Sequence, residues 1–173
     1  MKFKIEESLE ILSRTPDVLR TLLSNLDEEW TENNEGGETW SPHDVVGHLV
    51  RAEKLYWISR ANLILSDASN KTFRNFDFAN LEESKTKNLS QLLDDFSQLR
   101  NENIKTLNSL EISTEQLKME GIHPNFGKAT LSQLLSTWTV HDLVHLAQIS
   151  RVMAKQYKEE IGPWIEYFRV LKG

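Results

Sequence analysis

The chain of 173 residues contains no cysteine. A disulfide framework, a cysteine nucleophile and thiolate metal ligands are therefore excluded, so any metal site has to use His, Asp or Glu side chains. A chain without cysteine also fits a reducing compartment, and we expect a cytoplasmic protein. Any thiol that takes part in its chemistry has to come from solution.

The sequence also lacks long apolar runs and an excess of basic residues. No stretch approaches the roughly 20 apolar residues that cross a bilayer, and the opening segment MKFKIEESLEILSRT lacks the apolar core of a signal peptide. Lys and Arg number 20 against 26 Asp and Glu, and the net charge of -6 repels phosphate backbones. We expect neither a membrane nor a nucleic acid as a partner.

Glycine and proline are scarce, with 7 and 4 residues, and apolar residues recur at intervals of three and four. This spacing predicts helices throughout and no strand. Four long helices are expected, at about residues 4–27, 41–65, 80–109 and 130–157. A single domain over residues 1–173 that packs four such helices is most economically an all-α four-helix bundle. The stretch from Ser66 to Ala79 forms a longer crossover between the second and third helices.

Capping signatures mark the expected helix starts. In a capping box, one side chain accepts a hydrogen bond from a backbone N–H of the first turn, and an acid or amide stands three residues later. Three expected helix starts show this pattern: Ser41 with Asp44, Asn80 with Glu83, and Thr130 with Gln133. Gly121, Pro124 and Gly127 indicate an irregular loop before the fourth helix. The pair Gly162-Pro163 is expected to end all helical structure.

The segment HDLVH places His141 and His145 four residues apart, on one face of the fourth helix. That face also carries Leu134 and Trp138, so both imidazoles are expected to point toward the core. An HxxxH segment is a weak motif by itself, and two neutral core histidines are the alternative interpretation.

His48 strengthens the metal hypothesis because it lies on the apolar stripe of the second helix. Three inward histidines, His48, His141 and His145, then form a facial ligand set for one divalent ion. Zinc in catalytic sites takes three protein ligands and leaves a fourth position for water or substrate. Zinc is the expected metal, and nickel is also compatible with imidazole ligands.

Two long segments resemble the DinB-like superfamily of metal-binding four-helix bundles, namely TWSPHDVVGHLVRAEKLYWISRANLI and GKATLSQLLSTWTVHDLVHLAQISRVMAKQY. This superfamily includes the YfiT-type bacillithiol transferases and the mycothiol-dependent maleylpyruvate isomerases. His48 falls on the first histidine of the family, and His141 and His145 fall on its HxxxH. The resemblance implies a metal near one end of the bundle, a small-molecule substrate that includes a low-molecular-weight thiol in some members, and often a homodimer.

His123 and Asp142 are weaker candidates for catalytic roles. Asp142 occupies the place of the general base in HExxH, but it is one methylene shorter and lies about 100° around the helix from His141. A solvated or supporting role is the alternative for Asp142. His123 lies in the GIHPNFG loop, a segment that could cover an open coordination position. It is a candidate substrate contact or proton shuttle, and a role within the loop beside Pro124 is the alternative.

Other polar and aromatic residues have simpler explanations. Asp44 is expected to cap its helix, although it could orient His48, and His43 is expected to be exposed. Glu53 and Arg60 are expected to bridge to neighbouring helices. Four aromatic residues could wall a pocket, and Trp138 is the one that the histidine face favours: Trp40, Trp57, Phe126 and Trp138.

Three functions agree with these patterns to different degrees. The leading hypothesis is a metal-dependent enzyme, either a hydrolase or a transferase of a low-molecular-weight thiol. The alternative is a non-enzymatic, metal-binding structural bundle, which a protein carboxylate at the fourth coordination position would indicate. A dinuclear carboxylate bundle is disfavoured because Val45 and Trp138 stand where its Glu-x-x-His pairs need glutamate.

Overall fold

The computed structural model describes residues 2–75 and 81–172, and these residues are mostly helical. Seven α-helices lie in the described ranges: α1 (Ile5–Leu12), α2 (Thr15–Leu23), α3 (Glu28–Glu32), α4 (Pro42–Leu55), α5 (Trp57–Leu65), α6 (Leu89–Ser109) and α7 (Leu131–Lys155). Helix α4 packs against α6 and α7, α5 packs against the same two helices, α1 packs on α7, and α2 packs on α6. The predicted all-α four-helix bundle is thereby confirmed, with α1–α2 and α4–α5 each forming one broken rod. The single domain over residues 1–173 stays a prediction.

The first rod breaks where the sequence predicts a continuous helix. Pro16 has no backbone N–H to donate to the carbonyl of Leu12, and its ring crowds that carbonyl, so the helix cannot continue. The freed carbonyl of Leu12 accepts a hydrogen bond of 2.7 Å from Arg100 Nη1 on α6. The second rod turns at Tyr56, which ends α4 and precedes α5.

Helix α6 begins at Leu89 rather than near residue 80, because Asn88 and Gln91 form its capping box. The expected cap Asn80 lies outside the described residues. The crossover therefore extends from the end of α5 to the start of α6. Within it, residues 84–86 form a short 3-10 turn that lies directly on α4. A Cβ atom at Gly47 would stand 2.5 Å from the Cβ of Ser84, so this contact requires glycine.

The prediction of no strand is wrong. Strands β1 (Glu120–His123) and β2 (Gly127–Thr130) form an antiparallel hairpin, and the backbone N–H of Phe73 donates to Ile122 on β1. Each strand has only four residues, too few for a two-residue period to stand out from a loop. The positive φ of +76° at Gly127 lets the chain enter β2.

The expected caps of α4 and α7 are confirmed. Ser41 with Asp44 and Thr130 with Gln133 both form complete capping boxes. The expected end of helical structure at Gly162-Pro163 is wrong, because 3-10 helices cover Gly162–Tyr167 and Arg169–Leu171. Pro163 stands in the first turn, where a missing N–H leaves no bond unmade.

The core consists of two apolar clusters stacked along the bundle. One includes Leu12, Trp57 and Trp138, and the other includes Leu49 and Ile149. Between the two clusters, α4, α6 and α7 each place a charged residue inside the bundle, namely Glu53, Arg100 and Asp142. Among the described residues, no helix is long and apolar enough to span a membrane.

Candidate metal centre

The structure brings together His48 from α4 and His141 and His145 from α7. His48 is 4% exposed, and the two other histidines are half-buried. The Nε2 atom of His141 lies 3.0 Å from Nε2 of His48 and 3.2 Å from Nε2 of His145. Within the described ranges, these three are the group of His, Asp and Glu side chains whose ligand atoms converge within 4.8 Å.

The spacing of the three nitrogens fits a single metal ion. Zn–N bonds of about 2.0–2.1 Å at angles between tetrahedral and octahedral place ligand nitrogens roughly 2.8–3.4 Å apart. The alternative is a hydrogen-bonded histidine cluster, but Nε2 of His141 carries either one proton or one lone pair and faces two other nitrogens. A cation at the centre accepts all three lone pairs, so the donor set fits a metal better than it fits a hydrogen-bonded cluster.

The surroundings of His141 and His145 favour the neutral form of both imidazoles. Burial, followed by the charges of His145, His48 and Arg100, lowers the pKa of His141 to about 2. Burial also lowers the pKa of His145, although its hydrogen bond with Gln148 acts in the opposite direction. A histidine must be neutral to coordinate a metal, so both side chains are in the state that coordination requires.

Gln148 sets the orientation of one ligand. Its Oε1 atom lies 2.8 Å from Nδ1 of His145, one turn away on α7. A proton held on Nδ1 by this acceptor leaves the lone pair of Nε2 directed toward the other histidines. Nothing in the sequence pattern singles out Gln148 except its spacing of three residues from a candidate ligand.

Two tryptophans wall the three histidines. The ring of Trp40, which precedes α4, lies 4.8 Å from the ring of His48, and the ring of Trp57 on α5 lies 5.2 Å from that of His141. Trp138, the expected wall, instead stacks behind Trp57 at 5.8 Å. The expectation is wrong because it considered α7 alone. In the structure, Trp57 of α5 contacts the ring of His141, and Trp138 stacks on Trp57.

The comparisons with known proteins agree with this geometry. The sequence model of the DinB superfamily matches residues 11–149, a range that contains all three histidines. This chain belongs to the DinB superfamily. A solved structure with the same fold is YfiT from Bacillus subtilis, described as a probable metal-dependent hydrolase with an unusual four-helix bundle topology. The TM-score is 0.74 at 18% identity, over 90% of this chain and 93% of that chain. No curated protein matches the chain.

Asp142 in this DinB protein is buried, so the expectation of a solvated side chain is wrong. It is 0% exposed, and its two carboxylate oxygens accept hydrogen bonds of 2.6 and 2.9 Å from Arg100. Arg100 also donates to Glu53, which accepts a bond of 2.7 Å from the indole of Trp138. The expected bridging role of Glu53 is confirmed. Arg100 reaches Asp142 from α6 through the interior of the bundle, which the pattern of α7 alone could not show.

His123 lies on the hairpin and is half-buried. Its ring stacks on Phe126 at 4.6 Å and meets Phe73 edge-on at 6.4 Å. No hydrogen bond or ring contact in the described part of the chain joins His123 to the three histidines. Its expected role as a substrate contact or proton shuttle therefore stays a prediction.

His43 is 8% exposed, which corrects the expectation of an exposed residue. Its Nε2 atom lies 2.9 Å from the carbonyl oxygen of Lys87, in the segment just before α6. His43 therefore ties the start of α4 to the end of the crossover and has no place in the metal centre.

Proposed function

We propose that this DinB protein is a metal-dependent enzyme that holds one divalent ion through His48, His141 and His145. The observation that carries the proposal is the convergence of three imidazole Nε2 atoms, with separations of 3.0 and 3.2 Å from that of His141. Zinc is the simplest occupant, because it accepts three imidazoles and keeps one position open, and nickel is the second candidate. The description of YfiT as a probable metal-dependent hydrolase supports the same class of function.

The protein groups around the ligands favour an open fourth position. A divalent ion held by three neutral imidazoles keeps its positive charge, because these ligands carry none. It therefore lowers the pKa of a water or thiol at the fourth position. Asp142 is held by Arg100, and Asp44 accepts from the backbone of Ser41 in the capping box, so neither carboxylate serves as a fourth ligand. Trp40 and Trp57 restrict water on two sides of the ligand set.

The metal assignment is tested by elemental analysis of purified protein. We expect about one metal per chain in the wild type and a loss of most of it in His48→Ala, His141→Ala and His145→Ala. His43→Gln serves as the matched control, since it removes an imidazole outside the centre and keeps a donor for the carbonyl of Lys87. Equal metal content in all variants would refute the centre.

A hydrolase and a thiol transferase use the same centre differently. We favour a low-molecular-weight thiol or water as the group that is activated there, and the cysteine-free chain requires any thiol to come from solution. Cobalt- or nickel-substituted protein should develop a sulfur-to-metal charge-transfer band with small thiols, and His141→Ala should abolish it. A spectrum unchanged by every thiol would exclude the transferase and leave the hydrolase.

The alternative function is a metal-binding structural bundle without catalysis. It predicts a coordination shell completed by the protein, and therefore no change in the cobalt spectrum with thiols, azide or pH. Within residues 2–75 and 81–172, no carboxylate joins the histidine cluster, and this favours the enzyme.

The proposal extends to location and assembly. A small-molecule substrate and a cytoplasmic location agree with the enzyme class and with a chain free of cysteine. A homodimer is supported by three apolar side chains of α7 that are 47–56% exposed: Val140, Leu143 and Val144. Sedimentation equilibrium should give twice the chain mass, and Val144→Glu should give the monomer.

A further inference from the structure

Two arginine side chains are buried in this protein, and their surroundings differ. Arg100 is 0% exposed and donates to the carboxylates of Glu53 and Asp142. Arg60 is 8% exposed, but it forms no ion pair or hydrogen bond with any residue in the described ranges. Its Nε and Nη2 atoms are sealed from solvent and have no acceptor. The described residues compensate the guanidinium of Arg100 and supply no counter-ion to that of Arg60.

The described groups around Arg60 stabilise a cation, but none of them is an anion. The guanidinium carbon lies 5.0 Å from the ring centre of Tyr56 and 5.2 Å from that of Phe73. His123 lies close enough for the charge of Arg60 to lower its pKa, after the larger effect of burial. Because Nδ1 of His123 accepts from the backbone of Asn125, the proton of the neutral ring is on Nε2, where it can be donated. The positive guanidinium of Arg60 and the neutral N–H donor of His123 therefore lie close together.

The cluster stands next to the metal centre. Arg60 follows Trp57 by three residues on α5, about one helical turn of 5.4 Å, and the ring of Trp57 contacts that of His141. Thr72 and Phe73 pair with Ile122 of strand β1. This pairing brings the ring of Phe73 beside that of His123, the next residue of the strand. Helix α5 therefore carries both Trp57, which contacts the histidines, and Arg60, which contacts the segment that pairs with the hairpin.

We propose that Arg60 and His123 form a subsite for an oxyanion group, a carboxylate or a phosphate, of the substrate whose reacting group lies at the three histidines. An anion at Arg60 supplies a counter-ion that none of the described residues provides, and a charged hydrogen bond in this buried place binds more strongly than one at the surface. The position of the reacting group rests on the proposed function, whereas anion binding by Arg60 does not require a metal.

The test titrates inorganic phosphate and acetate separately into chelator-treated protein and follows binding by calorimetry. The wild type should bind at least one of them, and Arg60→Met, which keeps the apolar stem, should weaken that binding about tenfold or more. Arg14→Met is the matched control, because it removes an exposed guanidinium that contacts only the carbonyl of Glu10. The better-bound probe identifies the class of oxyanion.

A thermal-unfolding arm keeps the test decisive. Arg60→Met removes an uncompensated buried charge, so it should fold with a midpoint equal to or above that of the wild type. The preferred anion should raise the midpoint of the wild type only. Equal binding by the wild type and Arg60→Met, or no binding by the wild type, would overturn the subsite.

A third variant separates this inference from the metal centre. His141→Ala should keep Arg60-dependent anion binding, so a failure of the metal assignment would leave the subsite standing. Loss of anion binding in chelator-treated His141→Ala would place the anion at the histidines and overturn the proposal.

Discussion

Asp142 shows how much a single residue depends on its surroundings. Both of its oxygens accept from Arg100, and neither partner has measurable exposure. The desolvation of two buried charges offsets much of their attraction, so the pair adds little net stability relative to an apolar pair. Removal of Asp142 is different, because Arg100 then loses two buried acceptor oxygens and keeps only Glu53 as a carboxylate partner.

We expect Asp142→Asn to lower the free energy of unfolding by about 3 kcal/mol, because Glu53 alone then compensates Arg100. The measurement is denaturant unfolding in the presence of a chelator, which removes any contribution from metal. Asp94→Asn is the matched control, since it breaks an exposed pair with Arg20 and should cost less than about 1 kcal/mol. Similar losses in the two variants would show that the buried network carries no special weight.

At the scale of an element, the loop before α4 is built to hold Trp40 over the histidines. Asn34 closes the loop on the carbonyl of Thr39 and on the N–H of Gly36, whose φ of +98° suits glycine. Glu35 attaches this loop to α7 through Arg151, at 2.7 Å, and Lys155, at 3.7 Å. The loop is thereby tied to the helix that carries two of the three ligands.

The tie between Glu35 and α7 predicts a pH dependence of stability. The hydrogen bond from Arg151 is the largest cause that lowers the pKa of Glu35, and burial opposes it. A lowered carboxyl pKa adds stability above the ordinary value of about 4.3, and this stability is lost as the pH falls through the lowered value.

Glu35→Gln should therefore unfold more easily than the wild type at neutral pH, and the difference should shrink as the pH falls below about 4. Denaturant unfolding across that range measures the difference. Glu38→Gln, in the same loop but outside the tie to α7, should differ little from the wild type at any pH. A difference for Glu35→Gln that stays constant down to pH 3 would contradict the assignment.

For the whole molecule, the three candidate ligands lie on α4 and α7, which are distant in sequence. An ion bound only by the folded chain stabilises it by about 2.7 kcal/mol at a free concentration of 100 Kd. For a chain of this size we expect a chelator to lower the unfolding midpoint of the metal-loaded protein by about 5–10 °C. Thermal unfolding of His145→Ala should show no such shift, whereas His43→Gln should retain it.

Sequence alone predicts the helical rods and the three histidines because both depend on positions within one helix. Ser41 with Asp44 caps α4 as expected, and HxxxH places two imidazoles together by its own periodicity. The burial of Asp142 and His43, the wall formed by Trp57 and the isolation of Arg60 each depend on which neighbouring segment packs on them. A single helix pattern contains no information about that neighbour.

The close contact between Gly47 and Ser84 affects how mutations of α4 should be interpreted. Any side chain at position 47 would collide with the crossover, while any substitution of the adjacent His48 would remove a candidate ligand. In a scan of every substitution along α4, both positions should tolerate almost nothing, and the dipeptide would resemble a catalytic motif. The amount of folded protein would separate them, because Gly47→Ala would lose folded protein, whereas His48→Ala would fold and lose only the ion.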